Sequence, residues 1–416
     1  MLRMIHIKEL ATCTMKQGAA SHGKTLGIIR DAAIVVDKGR IVAVGKTHNI
    51  LTRFPKQNYD KEVDATGKIV LPGFIDCHTH MIFAGSRAKE YREKLRGASY
   101  GALHKSGMGM YSTVRATRKA SEEELFVSAQ KTLREMLRLG TTTVEIKSGY
   151  GLTLRDELKT LRVIRRLRRT EAQDIIPTFL GAHTVPLEYQ NRRNVYVDLL
   201  TQEMLPRVAE EDLAEYVDVF CDPLGFTAKE TGEIFARATG LGLKVRVHGE
   251  QTAHGGGAAI GAKFHAASID HCDHLKHRDI ALMKKTGSTA VLLPGVLFHA
   301  MEWGKNKLPD VVKKLRYARI PIALATDYNP GSAPLISMKL TMDLGMRFFK
   351  MSHEECLVSA TRNSAIALER GKLLGSIEPE KQADMLVIDA PSIADYLHQI
   401  GDRAIARVIK SGVIVN

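Results

Sequence analysis

Two histidines, His78 and His80, close the segment Leu71-Pro72-Gly73-Phe74-Ile75-Asp76-Cys77-His78-Thr79-His80. On a β-strand, a spacing of two turns both rings to one face, where they can share an ion; on a helix the spacing would have to be three or four. A lone histidine in a core is more often structural than a ligand. The pair gains meaning from His248 and Asp327, each of which falls at the end of a later apolar run. Three neutral imidazoles and one carboxylate suit a borderline divalent cation, Zn2+ or Fe2+, with an open position for water. Such a cation brings the pKa of that water toward neutrality, so the ligand set predicts metal-assisted hydrolysis.

The elements that would position these groups are legible as alternation. Between Ile69 and Asp327, short β-branched runs alternate with longer amphipathic stretches, the pattern of repeated βα units. There are eight runs: Ile69 to His80, Thr141 to Tyr150, Ile175 to His183, Val217 to Asp222, Leu243 to Glu250, Ala267 to Asp273, Thr289 to Gly295 and Ile320 to Asp327. Their near-continuous apolarity predicts strands covered on both faces. Seven end on residues able to do chemistry, namely His78/His80, Tyr150, His183, Asp222, His248, His271 and Asp327. A closed barrel brings all strand C-termini to one rim, whereas an open sheet would string them out of reach. The fold class is therefore α/β, a TIM-like (β/α)8 barrel. Ser121 with Glu124 and Ser352 with Glu355 read as helix capping boxes. Short strand-like runs at both ends, such as Ala33-Ile34-Val35-Val36 and Met385-Leu386-Val387-Ile388, predict a composite β-sandwich from residues 1–70 and 373–416, leaving 71–372 for the barrel.

At 416 residues, with 44% hydrophobic and 25% charged content, the chain can bury a large core. The net charge of +14 comes from Lys and Arg spread along helix-like segments such as Arg155 to Arg169, without interleaved aromatics. This predicts a solvated basic surface that draws in an anionic substrate rather than a nucleic-acid site. Five scattered cysteines without a CxxC pair (Cys13, Cys77, Cys221, Cys272, Cys356) suit free thiols in a reducing cytoplasm. The start Met1-Leu2-Arg3-Met4-Ile5-His6 lacks an apolar core with a cleavage site, and no run reaches membrane-spanning length, so a soluble, unexported protein with no membrane partner is expected.

With its His-x-His strand, later His and strand-eight Asp, the chain resembles the amidohydrolase superfamily. Its closer resemblance is to the imidazolonepropionase family, carried by Leu71 to His80, Gly85-Ser86-Arg87, Lys147-Ser148-Gly149-Tyr150-Gly151, Gly181-Ala182-His183, His248-Gly249-Glu250-Gln251, Asp270-His271 and Leu324 to Ser332. The resemblance implies a distorted barrel with a composite β-sandwich, one metal ion per chain, a homodimer, and hydrolysis of 4-imidazolone-5-propanoate to N-formimidoyl-L-glutamate in histidine breakdown. It implies that Asp327 is both ligand and proton shuttle, and that His271 and His183 polarise the ring carbonyl. Arg87 would clamp the propanoate through its planar fork. Tyr150, Asn329, Gly331 and Ser332 match positions that touch substrate, and Tyr100 is a further candidate. Gln251, which cannot act as a base, would bind substrate by hydrogen bonds.

Two features depart from the family pattern: the Glu250-Gln251 order, and Ser106-Gly107-Met108-Gly109 where a purer glycine run is expected. Lys147 could in principle be carbamylated to bridge two metals, but the resemblance points to a single ion. His274 is expected on the surface. Alternatives to the imidazolone ring are a hydantoin-like or thioxo-imidazolidinone propanoate, or an aromatic ring deaminated by an aminohydrolase of nucleobase type. A scaffold stripped of metal ligands is disfavoured because all four are present.

Overall fold

The apolar runs become strands because both of their faces are covered: Thr141–Lys147 and Ser268–His271 are buried at every position. The computed structural model describes all residues except 15–25, 56–59, 98–107, 302–307, 402–404 and 416. Tyr100, Ser106 and Gly107 therefore lie outside the described residues. Eight strands follow in chain order around one sheet: Phe74–Asp76, Thr141–Lys147, Asp174–Ala182, Tyr216–Cys221, Val247–Gly249, Ser268–His271, Thr289–Leu292 and Ile322–Leu324. Each pairs in parallel with the next. The last meets the first through a parallel bridge between Thr79 and Tyr328 and through the Asp327 N–H, which donates to the His78 carbonyl at 3.1 Å. Helices such as Glu122–Arg138, Leu154–Thr170 and Ala228–Gly240 link the strands, giving the expected α/β barrel.

Two runs are cut differently from the sequence reading. Ile69 to His80 is not one strand: Ile69–Pro72 belongs to the sheet of the chain ends and Phe74–Asp76 to the barrel. Gly73 makes the transfer, since a Cβ there would lie 2.3 Å from Thr142 Oγ1. Leu243 to Glu250 divides at Arg246 into Lys244–Val245 and Val247–Gly249, because Arg246 sends its side chain into the interior, where it is fully buried.

The chain ends build one eight-stranded sheet in the order Val413–Ile414, Ile405–Lys410, Met385–Ile388, Ile69–Pro72, Leu2–Ala11, Ile28–Asp37, Arg40–Lys46, with Lys61–Asp64 also pairing to Leu2–Ala11. Met4, Ile34, Val70, Met385 and Ile409 share its separate apolar core. Both expected capping boxes are present, Ser121 with Glu124 and Ser352 with Glu355. All five cysteines are buried thiols. Among the described residues, no helix is long and apolar enough to cross a membrane. On the basic Leu154–Thr170 helix, Arg162 pairs with Glu211 and Arg166 with Glu123, so part of its charge is spent at the surface.

Candidate metal centre and active site

At the C-terminal rim of the barrel, strand ends converge on one point. His78 Nε2 and His248 Nε2 each lie 3.2 Å from His80 Nε2. Asp327 Oδ1 lies 3.1 Å from His80 Nε2 and 3.4 Å from His78 Nε2. All four side chains are buried. Three ring nitrogens and a carboxylate oxygen packed this closely crowd their lone pairs together unless a cation lies between them, and among the described residues the buried Asp327 Oδ1 has no hydrogen-bond partner. The donor set fits one divalent ion with the ligands expected from sequence.

Beneath the histidines lies a layer of buried charge. His78 Nδ1 meets Asp270 Oδ2 at 2.6 Å, and Arg246 reaches the same oxygen at 3.2 Å. His248 Nδ1 is 3.0 Å from Asp218 Oδ2, which is 2.8 Å from the Lys147 ammonium; Glu145 Oε1 is also 2.8 Å from it. Carboxylates on the far nitrogens fix the ring orientation and leave Nε2 facing the centre. Counting Asp327, four carboxylates face two fixed cations in this layer, a deficit of two positive charges that one divalent ion supplies. Burial lowers the Lys147 pKa, but the Asp218 and Glu145 carboxylates outweigh it and raise the net value. Lys147 is thus held as an ammonium, which cannot carry a carbamate. Sequence reading missed Glu145, Asp218 and Arg246 altogether; their signal was a charged residue inside an otherwise apolar strand.

Burial and the Lys147 charge push the His78 pKa down, but Asp270 and Asp327 win and raise it to about 9. Burial takes His80 the other way, to about 4. Burial alone would raise Asp327, yet the His78 and His80 rings beside its Oδ1 hold it well below the usual carboxylate range. His183 and His271 are pushed well below the ordinary imidazole value, chiefly by burial.

Above the centre is a cavity of about 160 Å³. His80, His183, His248, His271 and Asp327 line its metal side, while Arg87, Tyr150, Gln251, Asn329 and Ser332 complete the wall with Met110 and Phe220. The last two were not foreseen. Among the described residues neither ring nitrogen of His271 has a hydrogen-bond partner, and its side chain is buried. His183 stacks on His80 at 4.8 Å, and its Nδ1 lies 3.0 Å from the Gly149 carbonyl. A carbonyl can only accept, so Nδ1 carries the proton and the neutral ring offers a lone pair at Nε2. That corrects the expectation that His183 polarises a carbonyl, which requires a donor. His271 stays available for that task.

In the turn after strand eight, Asn329 and Ser332 line the cavity and Gly331 does not. The N–H groups of Gly331 and Ser332 donate to Asn329 Oδ1 at 2.8 and 2.7 Å, and Asn329 Nδ2 donates to the Asp327 carbonyl at 2.7 Å. Asn329 therefore braces the turn, and these two backbone donors are spent on it. Asp222 does not enter the site: its carboxylate accepts from Leu224 N and Thr252 N and ties the loop after strand four. Glu250 turns away too, accepting from Gly255 N and Ala258 N, which leaves Gln251 to face the cavity. Nearby, His254 Nε2 bonds Asp279 at 2.9 Å, a second cluster with Glu250 outside the cavity. His274 is half-buried rather than exposed. Glu250, His271 and Asp327 all take left-handed backbone angles, with φ of 62°, 75° and 55°. Each such angle costs about 1–3 kcal/mol and tends to cluster where strand ends must aim side chains at a site.

A sequence model of the amidohydrolase family matches residues 69–415. The imidazolonepropionase of Rhizorhabdus wittichii is 42% identical over 92% of this chain and 94% of its own length. That of Caldanaerobacter subterraneus is 41% identical over 92% and 90%. Among solved structures, E. coli guanine deaminase superposes with a TM-score of 0.70 at 16% identity, covering 100% of this chain and 99% of its own. An adenosine deaminase from Xanthomonas campestris with bound zinc gives 0.68 at 17%, covering 99% and 92%. At such identities the structural likeness speaks for the barrel alone, while the curated relatives share sequence along nearly the whole chain. With the ligand geometry, these matches place the chain in the amidohydrolase family, alongside the imidazolonepropionases.

Proposed function

We propose that this protein hydrolyses the cyclic amide of 4-imidazolone-5-propanoate to N-formimidoyl-L-glutamate, with one Zn2+ or Fe2+ held by His78, His80, His248 and Asp327. The observation that carries the reading is a small cavity with a cation-demanding ligand cluster on one wall and Arg87 on another. A five-membered ring amide with a short acidic tail has the two features these walls complement. The bound ion supplies Lewis acidity and a water acidic enough to attack near neutral pH. Asp327, held as a carboxylate, accepts the proton of the attacking water and delivers it to the ring nitrogen as the C–N bond breaks. His271 donates to the carbonyl oxygen as it gains charge, in a site dry enough for that bond to count. His183 accepts a ring N–H through Nε2, while Gln251 and Tyr150 contact the ring edge. Arg87 binds the propanoate.

The reading is tested by turnover of freshly generated 4-imidazolone-5-propanoate, beside a hydantoin propanoate and a nucleobase, by metal-analysed protein. Release of N-formimidoyl-glutamate with no ammonia from the nucleobase is expected. Ammonia release without ring opening would overturn it in favour of an aminohydrolase. The expected homodimer and cytoplasmic setting remain part of the same proposal, checked by light scattering and fractionation.

A further inference from the structure

Arg87 does not meet the cavity as a free side chain. Its Nε donates to Glu90 Oε2 at 2.9 Å and its NH2 to Glu90 Oε1 at 2.6 Å, a bidentate pair along one edge of the guanidinium. Glu90 is itself buried, 5% exposed, and is anchored from two further sides by Gly109 N at 2.8 Å and Lys94 Nζ at 3.1 Å. The other side of the guanidinium rests on Gly331: a Cβ there would come within 1.9 Å of Arg87 NH1 and 2.5 Å of Cζ. Among the described residues no hydrogen bond occupies NH1, and Arg87 lines the cavity. A guanidinium has five N–H groups in a rigid plane, so a carboxylate on the Nε–NH2 edge leaves the NH1 side able to take a second.

We infer that Glu90 and Gly331 together form a fixed seat for Arg87, which makes Glu90 a positioning residue for recognition of the substrate's carboxylate. This rests on the reading that Arg87 binds the acidic tail. Without the seat, the long Arg87 side chain samples several rotamers and binding must bear the cost of ordering it. With the seat, the anchor stands at a set distance from the metal centre before substrate arrives. Gly331, expected from the sequence to touch substrate, serves here by having no side chain.

The test compares wild type with Glu90→Gln, Gly331→Ala and Arg87→Met, each metal-loaded. For each, KM and kcat are measured, together with calorimetric affinity for imidazole-4-propanoate and its carboxamide. Wild type is expected to prefer the carboxylate. Arg87→Met should abolish the preference, and Glu90→Gln and Gly331→Ala should each remove most of it, raising KM roughly tenfold with kcat within about twofold, the scale of one charge-assisted hydrogen bond. A merely structural role for Glu90 would weaken both ligands alike and lower kcat, and that result overturns the inference. Gly331→Ala disturbs Arg87 from the opposite face, so it decides the matter if Glu90→Gln fails to fold. If Arg87→Met keeps the preference, the Arg87 reading itself falls. If Arg87→Met loses it while Glu90→Gln and Gly331→Ala keep it, only the seat is wrong.

Discussion

The metal side of the site and its proposed tail-binding side are built on opposite principles. On the metal side, His78, His248 and His271 sit on or just past strand ends, and Asp218, Asp270, Lys147 and Arg246 lock the layer below at distances of 2.6–3.2 Å. On the tail side, Arg87 and Gly331 lie in loops, and one ion pair and one missing side chain hold the geometry. On the proposed reading, the reaction chemistry is written into the scaffold, whereas the choice of substrate is written into segments that can change without disturbing a strand.

The most severe break is Asp327→Asn, which should cut kcat by about 10³–10⁴-fold through loss of the proton acceptor; steady-state kinetics with parallel metal analysis checks it, and kcat within tenfold at full metal content would refute the shuttle. Next, His271→Ala should lower kcat about 10²–10³-fold with little change in KM, as for a donor that acts on the developing oxyanion. The comparison itself is sharpest in a crossed pair. Asp270→Asn should weaken metal affinity by about 10–100-fold in a chelator competition, while Arg87→Met should leave that affinity alone and raise only KM. Should both move metal affinity, the two walls are not independent.

Proton linkage probes the metal side alone. In the metal-free protein His78 titrates near 9, so below that pH the ion must displace a proton to bind. Affinity should therefore fall about tenfold for each pH unit from 9 down to 7, and a flat profile would mean that Asp270 does not hold the proton on His78. The smallest effect belongs far from both walls. Ser121→Ala removes a helix cap and should cost about 1 kcal/mol in chemical denaturation, with kcat unchanged.

The metal side was legible in sequence together with its ligands, whereas on the tail side the sequence named Arg87 but not what holds it, and the reason is physical. Strand periodicity puts His78 and His80 on one face, and parallel strands share a rim, so residue type and position along the run specify where Asp327 and His248 arrive. The charged layer announced itself only faintly, as Glu145, Asp218 and Arg246 within apolar stretches, because sequence does not say which face of a two-sided strand looks inward. Loop residues carry no such periodicity. Arg87 could be guessed from its place after strand one, but its pairing with Glu90 three residues on and its contact with Gly331 depend on how two distant loops meet. The proton on His183 depended on a single carbonyl, that of Gly149.

The barrel closes where its first and last strands meet, with Asp76 accepting from Thr326 across 250 residues of chain. That junction also holds His78, His80 and Asp327. During synthesis no metal centre of this composition can exist until the eighth strand has left the ribosome, so the full four-ligand set assembles only as the barrel closes.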